Sequence, residues 1–256
     1  MDEFILSIDP NKFRSTNSTW NNLMLNNPWS VGYVTTLIEL VEFQSKEEWE
    51  SFYYESGKKR NQILEKLPLD KQALIKNFQL IRTNPNVVSS LSWGDKNINT
   101  QYGRTQSDIV ERGAVLYNGV KNNGYGLTLE ECIECVRFRV ICDTWNGVIF
   151  REANTIKNLR SIFPLFEFRK TSGEVDYTYA VDYEVFQGGR QLFGLQIKPK
   201  SYTWNAPYIL NARRANSVKN RTYTNLKGVP VFNVISKSDG EIENIEVLDQ
   251  IRKVCI

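Results

Sequence analysis

Apolar residues recur three and four positions apart through the first hundred residues, at Val34, Leu37, Ile38, Leu40 and Val41 and again at Ile63, Leu64 and Leu67. That is the spacing of one helical face, so this part of the chain is predicted to be mainly helical. Pro68 and Asp70 supply a break and an N-cap before a helix reaching about Leu80, and Asn84-Pro85-Asn86 marks a turn. The stretch 92–105 has little periodicity and many turn formers. It sets a soft boundary between a helical N-terminal region, 1–100, and a second part, 101–256.

Beyond the boundary the pattern becomes mixed. The run beginning SDIVERGAVLYNGV predicts a helix capped at Ser107 or Asp108, LTLEECIECV a second starting near Thr128, and a third covers about 146–162. Two strand-like runs follow, 177–186 and 191–199, with Gly188-Gly189 between them as the turn of a hairpin. A helix over 206–226, a strand over 229–236 and a closing helix over 241–254 complete the order. Helix, hairpin, helix, strand and helix in succession predict an α/β fold, with a mixed sheet flanked by helices.

Composition narrows the chemistry. With 256 residues, 41% hydrophobic and 24% charged, the chain can bury a substantial core. No apolar run approaches the roughly 18 residues of a membrane helix, and MDEFILSIDPNKF has no signal-peptide pattern, so a cytoplasmic location is expected. The absence of histidine excludes Ser-His-Asp and Cys-His catalysis and His-ligated zinc. Cys132 and Cys135 form a CxxC, but only Cys142 and Cys255 remain to complete a zinc site. Buried reduced thiols are the expectation. Phosphate-binding glycine loops do not occur.

Charge is segregated. Between Val185 and Ser238 there is no Asp or Glu, while Arg190, Lys198, Lys200, Arg213, Arg214, Lys219, Arg221, Lys227 and Lys237 are all present, in a chain whose net charge is only +3. Tyr202, Trp204, Asn205, Asn211, Asn216 and Asn220 are interleaved with these cations, as stacking and hydrogen-bonding groups for a nucleic acid would be. A solvated basic helix face is the plainer alternative.

Directly ahead of this block lie Asp182 in the first predicted strand and Gln196 and Lys198 in the second. Gln196 and Lys198 share one face of their strand, while Leu195 and Ile197 turn to the other. A two-residue loop would set Asp182 opposite Leu195, on the wrong face. An odd loop or a β-bulge brings it to the Gln196/Lys198 face, and one of these is predicted. Gly194 is expected to keep the space beside Gln196 open. Such a cluster suits metal-assisted phosphodiester hydrolysis. Asp182, the Gln196 side chain and the Ile197 carbonyl would serve as oxygen ligands to Mg²⁺ (or Mn²⁺), and Lys198 would act on the attacking water.

The spacing of Asp182 and Gln196-Ile197-Lys198, with the element order around it, resembles the PD-(D/E)XK nuclease superfamily, type II restriction endonucleases in particular. Val181 stands where the motif has proline and Gln196 where it has a second acid. The resemblance implies a restriction-endonuclease-like core from about Asn146 to Ser236 and a helix-borne acidic metal ligand, Glu152, with Glu111 in reserve. Glu184 would assist. VDYEVF and LQIKPKSY are similar to a small group cutting CTAG.

The same resemblance implies a Mg²⁺-dependent enzyme that cuts double-stranded DNA at a specific sequence and leaves 5′-phosphates. It implies a homodimer on a palindromic site and a cognate DNA methyltransferase in the same system. Lys200, Tyr202, Trp204, Asn205, Arg213, Arg214, Asn216, Lys219 and Arg221 become DNA contacts, with Gln101, Tyr102 and Arg104 as further candidates. The N-terminal region would serve dimerisation or added DNA contact. A structure-selective repair nuclease and a nucleic-acid-binding protein without catalysis are the competing functions.

Overall fold

A computed structural model of the chain describes residues 2–25, 28–31, 35–38, 41, 43–77, 95, 98–99, 101–205 and 207–254. Val34, Leu40, the expected helix end near Leu80, the turn at 84–86, part of the 92–105 boundary and Cys255 lie outside these residues. The chain forms two compact units, Met1–Trp145 and Asn146–Ile256.

The first unit is helical among its described residues: α1 (Pro10–Ser15), α2 (Asn17–Asn22), α3 (Pro28–Val31), α4 (Thr35–Ile38), α5 (Lys46–Leu64), α6 (Leu69–Lys76), α7 (Gln106–Val120) and α8 (Leu129–Arg137). Ser45 caps α5 by accepting the Glu48 N–H at 3.2 Å. The helix buries Trp49, Tyr53 and Leu64 at intervals of three to four residues and their multiples. The Trp49 indole donates to the Ile141 carbonyl at 3.0 Å, so its buried N–H is satisfied. Helix α6 starts directly after Pro68, and Asp70 lies in its first turn instead of capping it.

Helices α7 and α8, which the sequence grouped with the second half of the chain, pack in this first unit. Arg112 on α7 donates to the Ser30 carbonyl at 3.0 Å, and a Cβ at Gly113 would meet Ile133 of α8 at 2.4 Å, so the two helices touch backbone to side chain. Thr105, and neither Ser107 nor Asp108, caps α7: it accepts the Asp108 N–H while the Asp108 carboxylate accepts the Thr105 N–H at 2.9 Å. Thr128 and Glu131 repeat this capping box on α8, as expected. A π-type turn, Phe138–Cys142, continues α8. It buries Cys142 with Cys132 and Cys135 as free thiols; burial pushes Cys132 and Cys142 up to about 12 and raises Cys135. They are inert.

The second unit holds α9 (Arg151–Ile162), β1 (Glu167–Lys170), α10 (Gly173–Tyr179), β2 (Tyr183–Gln187), β3 (Arg190–Pro199), α11 (Pro207–Lys227), β4 (Val231–Ser236) and α12 (Glu246–Val254). The sheet order is β1-β2-β3-β4, antiparallel except for β3 and β4, which run parallel across the α11 crossover. Ile156 and Leu159 of α9, Val185, Leu195, Ile197 and Val234 of the sheet, and Val247, Leu248 and Ile251 of α12 form one core cluster.

Two elements differ from the expected ones. Residues 177–179 end helix α10 and do not begin a strand, because Ser172 caps this segment and accepts the Val175 N–H at 3.4 Å. The closing helix starts only at Glu246. The residues before it cover the outer edge of β4: Asn244 accepts the Ile235 N–H and donates to the Asn233 carbonyl, both at 2.8 Å, and Ile242 bridges Ser236.

Gly194 of β3 does not leave open space. A Cβ there would lie 3.1 Å from Val181, 3.2 Å from Tyr223 and 3.3 Å from Val231, so glycine is what lets the Tyr223 ring of α11 sit on the sheet. Gly194→Ala is therefore expected to destabilise the protein by about 1–3 kcal/mol through overpacking, read as a lower urea midpoint at unchanged m-value.

Candidate active site

The β2–β3 hairpin turns through Gly188 and Gly189, whose φ values of 57° and 80° are the left-handed conformations of a two-residue turn. Alone, this turn would carry Asp182 to the wrong face. The register shifts between Val185 and Phe186: Val185 pairs with Phe193 and Phe186 with Gln191, which leaves Leu192 as the extra residue of a β-bulge. Tyr183 then pairs with Leu195, and continuing the ladder by one residue sets Asp182 opposite Gln196. The expected parity correction is thus made by a bulge.

Asp182 is held from three directions. Its N–H donates to the Leu195 carbonyl at 2.8 Å, its carbonyl accepts the Thr171 N–H at 3.1 Å, and its buried carboxylate accepts the Ile197 N–H at 2.5 Å. Because the N–H and C=O of one strand residue leave on the same side, the Ile197 carbonyl leaves β3 on the same side as the N–H that Asp182 accepts. The residue ahead of β2, Ala180, has φ 55°, a costly conformation for a residue with a Cβ. Asn220 of α11 clamps this bend by donating to the Tyr179 and Ala180 carbonyls at 3.0 and 2.8 Å.

Glu152, in the first turn of α9, faces the same cluster. Its carboxylate lies 3.6 Å from the Lys170 ammonium of β1, with its side chain 16% exposed. Burial, then the charge of Asp182, raises the Glu152 carboxyl to about 7, against the opposing pull of Lys170 and Lys198. Burial lowers Lys198, but Asp182, Asp176 and Glu152 together outweigh it and hold the ammonium above its usual range. Asp182, Gln196, Lys198, Ile197 and Glu152 are therefore brought together. Glu111 is not among them: it belongs to the first unit, is exposed and pairs with Arg112 at 2.8 Å. Glu184 accepts the Tyr223 hydroxyl at 2.5 Å and lies 3.9 Å from Lys227, which makes it a tie between sheet and α11.

Gln196 is 1% exposed and its Oε1 has no hydrogen-bond partner among the described residues. Such an orphaned buried acceptor costs about 1–3 kcal/mol, and a cation is a natural partner for it. Among the described residues no three His, Cys, Asp or Glu side chains gather as a metal cluster. The available set is two carboxylates, one amide oxygen and one carbonyl, all hard oxygen donors, which fits Mg²⁺ with waters completing its shell.

The family described as MjaI restriction endonuclease matches residues 16–244 of the chain. The chain belongs to the MjaI restriction endonuclease family. It is thus a type II restriction endonuclease, a hydrolase with DNA as substrate. No curated protein and no solved structure matches the chain.

For this restriction endonuclease the cations of the basic block differ in how they are held. Arg213, Arg214 and Arg221 are exposed on α11, and Trp204, 57% exposed, and Asn205 precede that helix. Lys219 is half-buried. Lys200 pairs with Glu243 at 2.9 Å, and the Tyr202 hydroxyl accepts from Asn216 at 3.0 Å, so these three candidates are already engaged with the protein. Asn220 is buried in the Ala180 clamp and is unavailable to DNA. Arg104 is likewise not a surface contact: it is 0% exposed, donates to the Tyr102 and Gly103 carbonyls at 2.9 and 3.1 Å, and burial lowers its pKa. Gln101 is exposed and Tyr102 half-buried. Lys170 and Asp176 were missed. The only sequence signal for either was proximity to Asp182 along the chain.

No helix among the described residues is long and apolar enough to cross a membrane.

Proposed function

We propose that the enzyme is a Mg²⁺-dependent PD-(D/E)XK endonuclease that hydrolyses one phosphodiester in each strand of a CTAG-type palindrome, leaving 5′-phosphates, and acts as a homodimer alongside a cognate methyltransferase. The observation that carries this reading is the orphaned Gln196 Oε1, buried in a cluster with Asp182 and with Glu152, whose carboxyl the charge of Asp182 helps to raise. Asp182, Glu152, Gln196 Oε1 and the Ile197 carbonyl would hold the cation. Bound there, Mg²⁺ supplies Lewis-acid stabilisation of the charge building on the attacked phosphate.

The chain's own groups do the rest. Asp182, pinned by the Ile197 N–H, keeps its carboxylate aimed without rearrangement. Lys198, kept charged by three carboxylates, donates hydrogen bonds to the attacking water and to the phosphate's non-bridging oxygen. Arg214, Lys219 and Arg221 neutralise backbone phosphates along α11, Arg213 contacts the DNA from the same helix, and Trp204 and Asn205 extend that surface. Palindromic symmetry requires a two-fold dimer.

Plasmid DNA incubated with the protein and Mg²⁺ is expected to give discrete fragments with ligatable 5′-phosphates, mapped to CTAG, and none with EDTA. Nicking confined to branched or mismatched DNA would favour the repair-nuclease reading. A mobility shift without cutting in Mg²⁺ or Mn²⁺ would refute catalysis.

A further inference from the structure

A cleft of about 460 Å³ opens beside the candidate active site, between the segment after β3, helix α11 and β4. Its place is set by register. Asn233 and Ile235 of β4 pair with Gln196 and Lys198 of β3, so they share a sheet face with the catalytic pair, one strand spacing away. The cleft therefore adjoins the position of the bond to be cut.

Its lining is chemically mixed. Arg213 offers a donor fork, Glu246 offers an acceptor, Asn233 offers both, and Val231 and Ile235 add apolar walls beside the Tyr202 ring. Asn216 fixes that ring by its bond to the hydroxyl. A phosphate would need donors only and would be repelled by Glu246. A nucleobase has donors and acceptors along its edge and apolar faces above and below, which matches this lining.

The polar side chains are not equally available. Asn244 spends its amide on the β4 backbone and Asn220 spends its own on the Ala180 clamp. The Asn233 amide enters no hydrogen bond among the described residues, and only its backbone carbonyl is engaged. Asn and Arg are the side chains that pair in bidentate fashion with adenine and guanine. We infer that this cleft receives a purine edge of the target DNA next to the scissile bond, and that Asn233 is the residue that sets which base is accepted there. The inference rests on the nuclease reading above.

The test uses the full chain and duplex oligonucleotides carrying the site that the wild type cuts, together with every single-base variant of that site. Single-turnover cleavage is measured in Mg²⁺ and binding in Ca²⁺. Asn233→Ala is expected to reduce discrimination at one position by about tenfold or more, with an unchanged thermal midpoint and with affinity for an unrelated duplex within about twofold of wild type. Asn233→Asp, which exchanges the amide donor for an acceptor, is expected to reject the original base at that same position. Wild-type discrimination at every position in both variants would overturn the inference while leaving the nuclease reading intact. A wild-type protein that cuts no duplex would overturn both.

Discussion

Lys198→Ala is expected to slow single-turnover cleavage by about a thousandfold while changing duplex affinity by only a few-fold. The ammonium is poised among Asp182, Asp176 and Glu152, whose combined charge overcomes the cost of burying it. It therefore carries its proton throughout the neutral range, which suits a donor of hydrogen bonds to the water and phosphate and not a base. On the proposed reading, DNA affinity would come from the exposed arginines of α11, separately from this group. Lys198→Arg should rescue little, because a planar guanidinium cannot reproduce the compact ammonium in a site bounded by Gln196 and Asp182. Cleavage within tenfold of wild type in Lys198→Ala would remove this residue from the chemistry.

Strand parity at the hairpin was legible in the sequence. A strand has period two, so requiring Asp182 on the Lys198 face demanded one extra residue somewhere between them, and the structure places that residue at Leu192. The position could not be read, because an odd loop satisfies the same requirement as a bulge. Strand β1 was not legible at all: its four residues bury only Phe168, too few to establish alternation, and Lys170 was hidden with it. Asp176 was hidden by the assignment of 177–179 to a strand, where the Ser172 cap and the left-handed Ala180 instead close a short helix. Cation placement failed for a different reason. Arg104 and Arg213 look alike in a sequence, yet a Cβ at Gly57 would meet the Arg104 backbone at 2.3 Å, and that close approach contributes to sealing Arg104 inside the first unit.

Glu152→Gln is expected to abolish cleavage and, in the same protein, to stabilise the cation-free fold at pH 8 by about 2–3 kcal/mol. The Glu152 carboxyl rises from 4.5 to about 7 because it is buried and faces Asp182. A carboxyl with a raised folded-state pKa binds its proton more tightly when folded. Its contribution to stability is therefore fully present below about pH 4.5 and is lost as the pH climbs through about 7. Glutamine removes that loss, so urea unfolding in EDTA should show wild type and Glu152→Gln converging near pH 5 and separating by pH 8. Adding Mg²⁺ at pH 8 should reverse the order of gains: the wild type is stabilised by binding, whereas the variant, short of one anionic ligand, gains less. The cleavage rate of the wild type should fall with acidification through about pH 7, as protonation of Glu152 takes the same ligand away. A variant less stable than wild type at pH 8, or a gap equal at both pH values, would mean that Glu152 is held by its lysines as a structural ion pair and is not strained for cation binding.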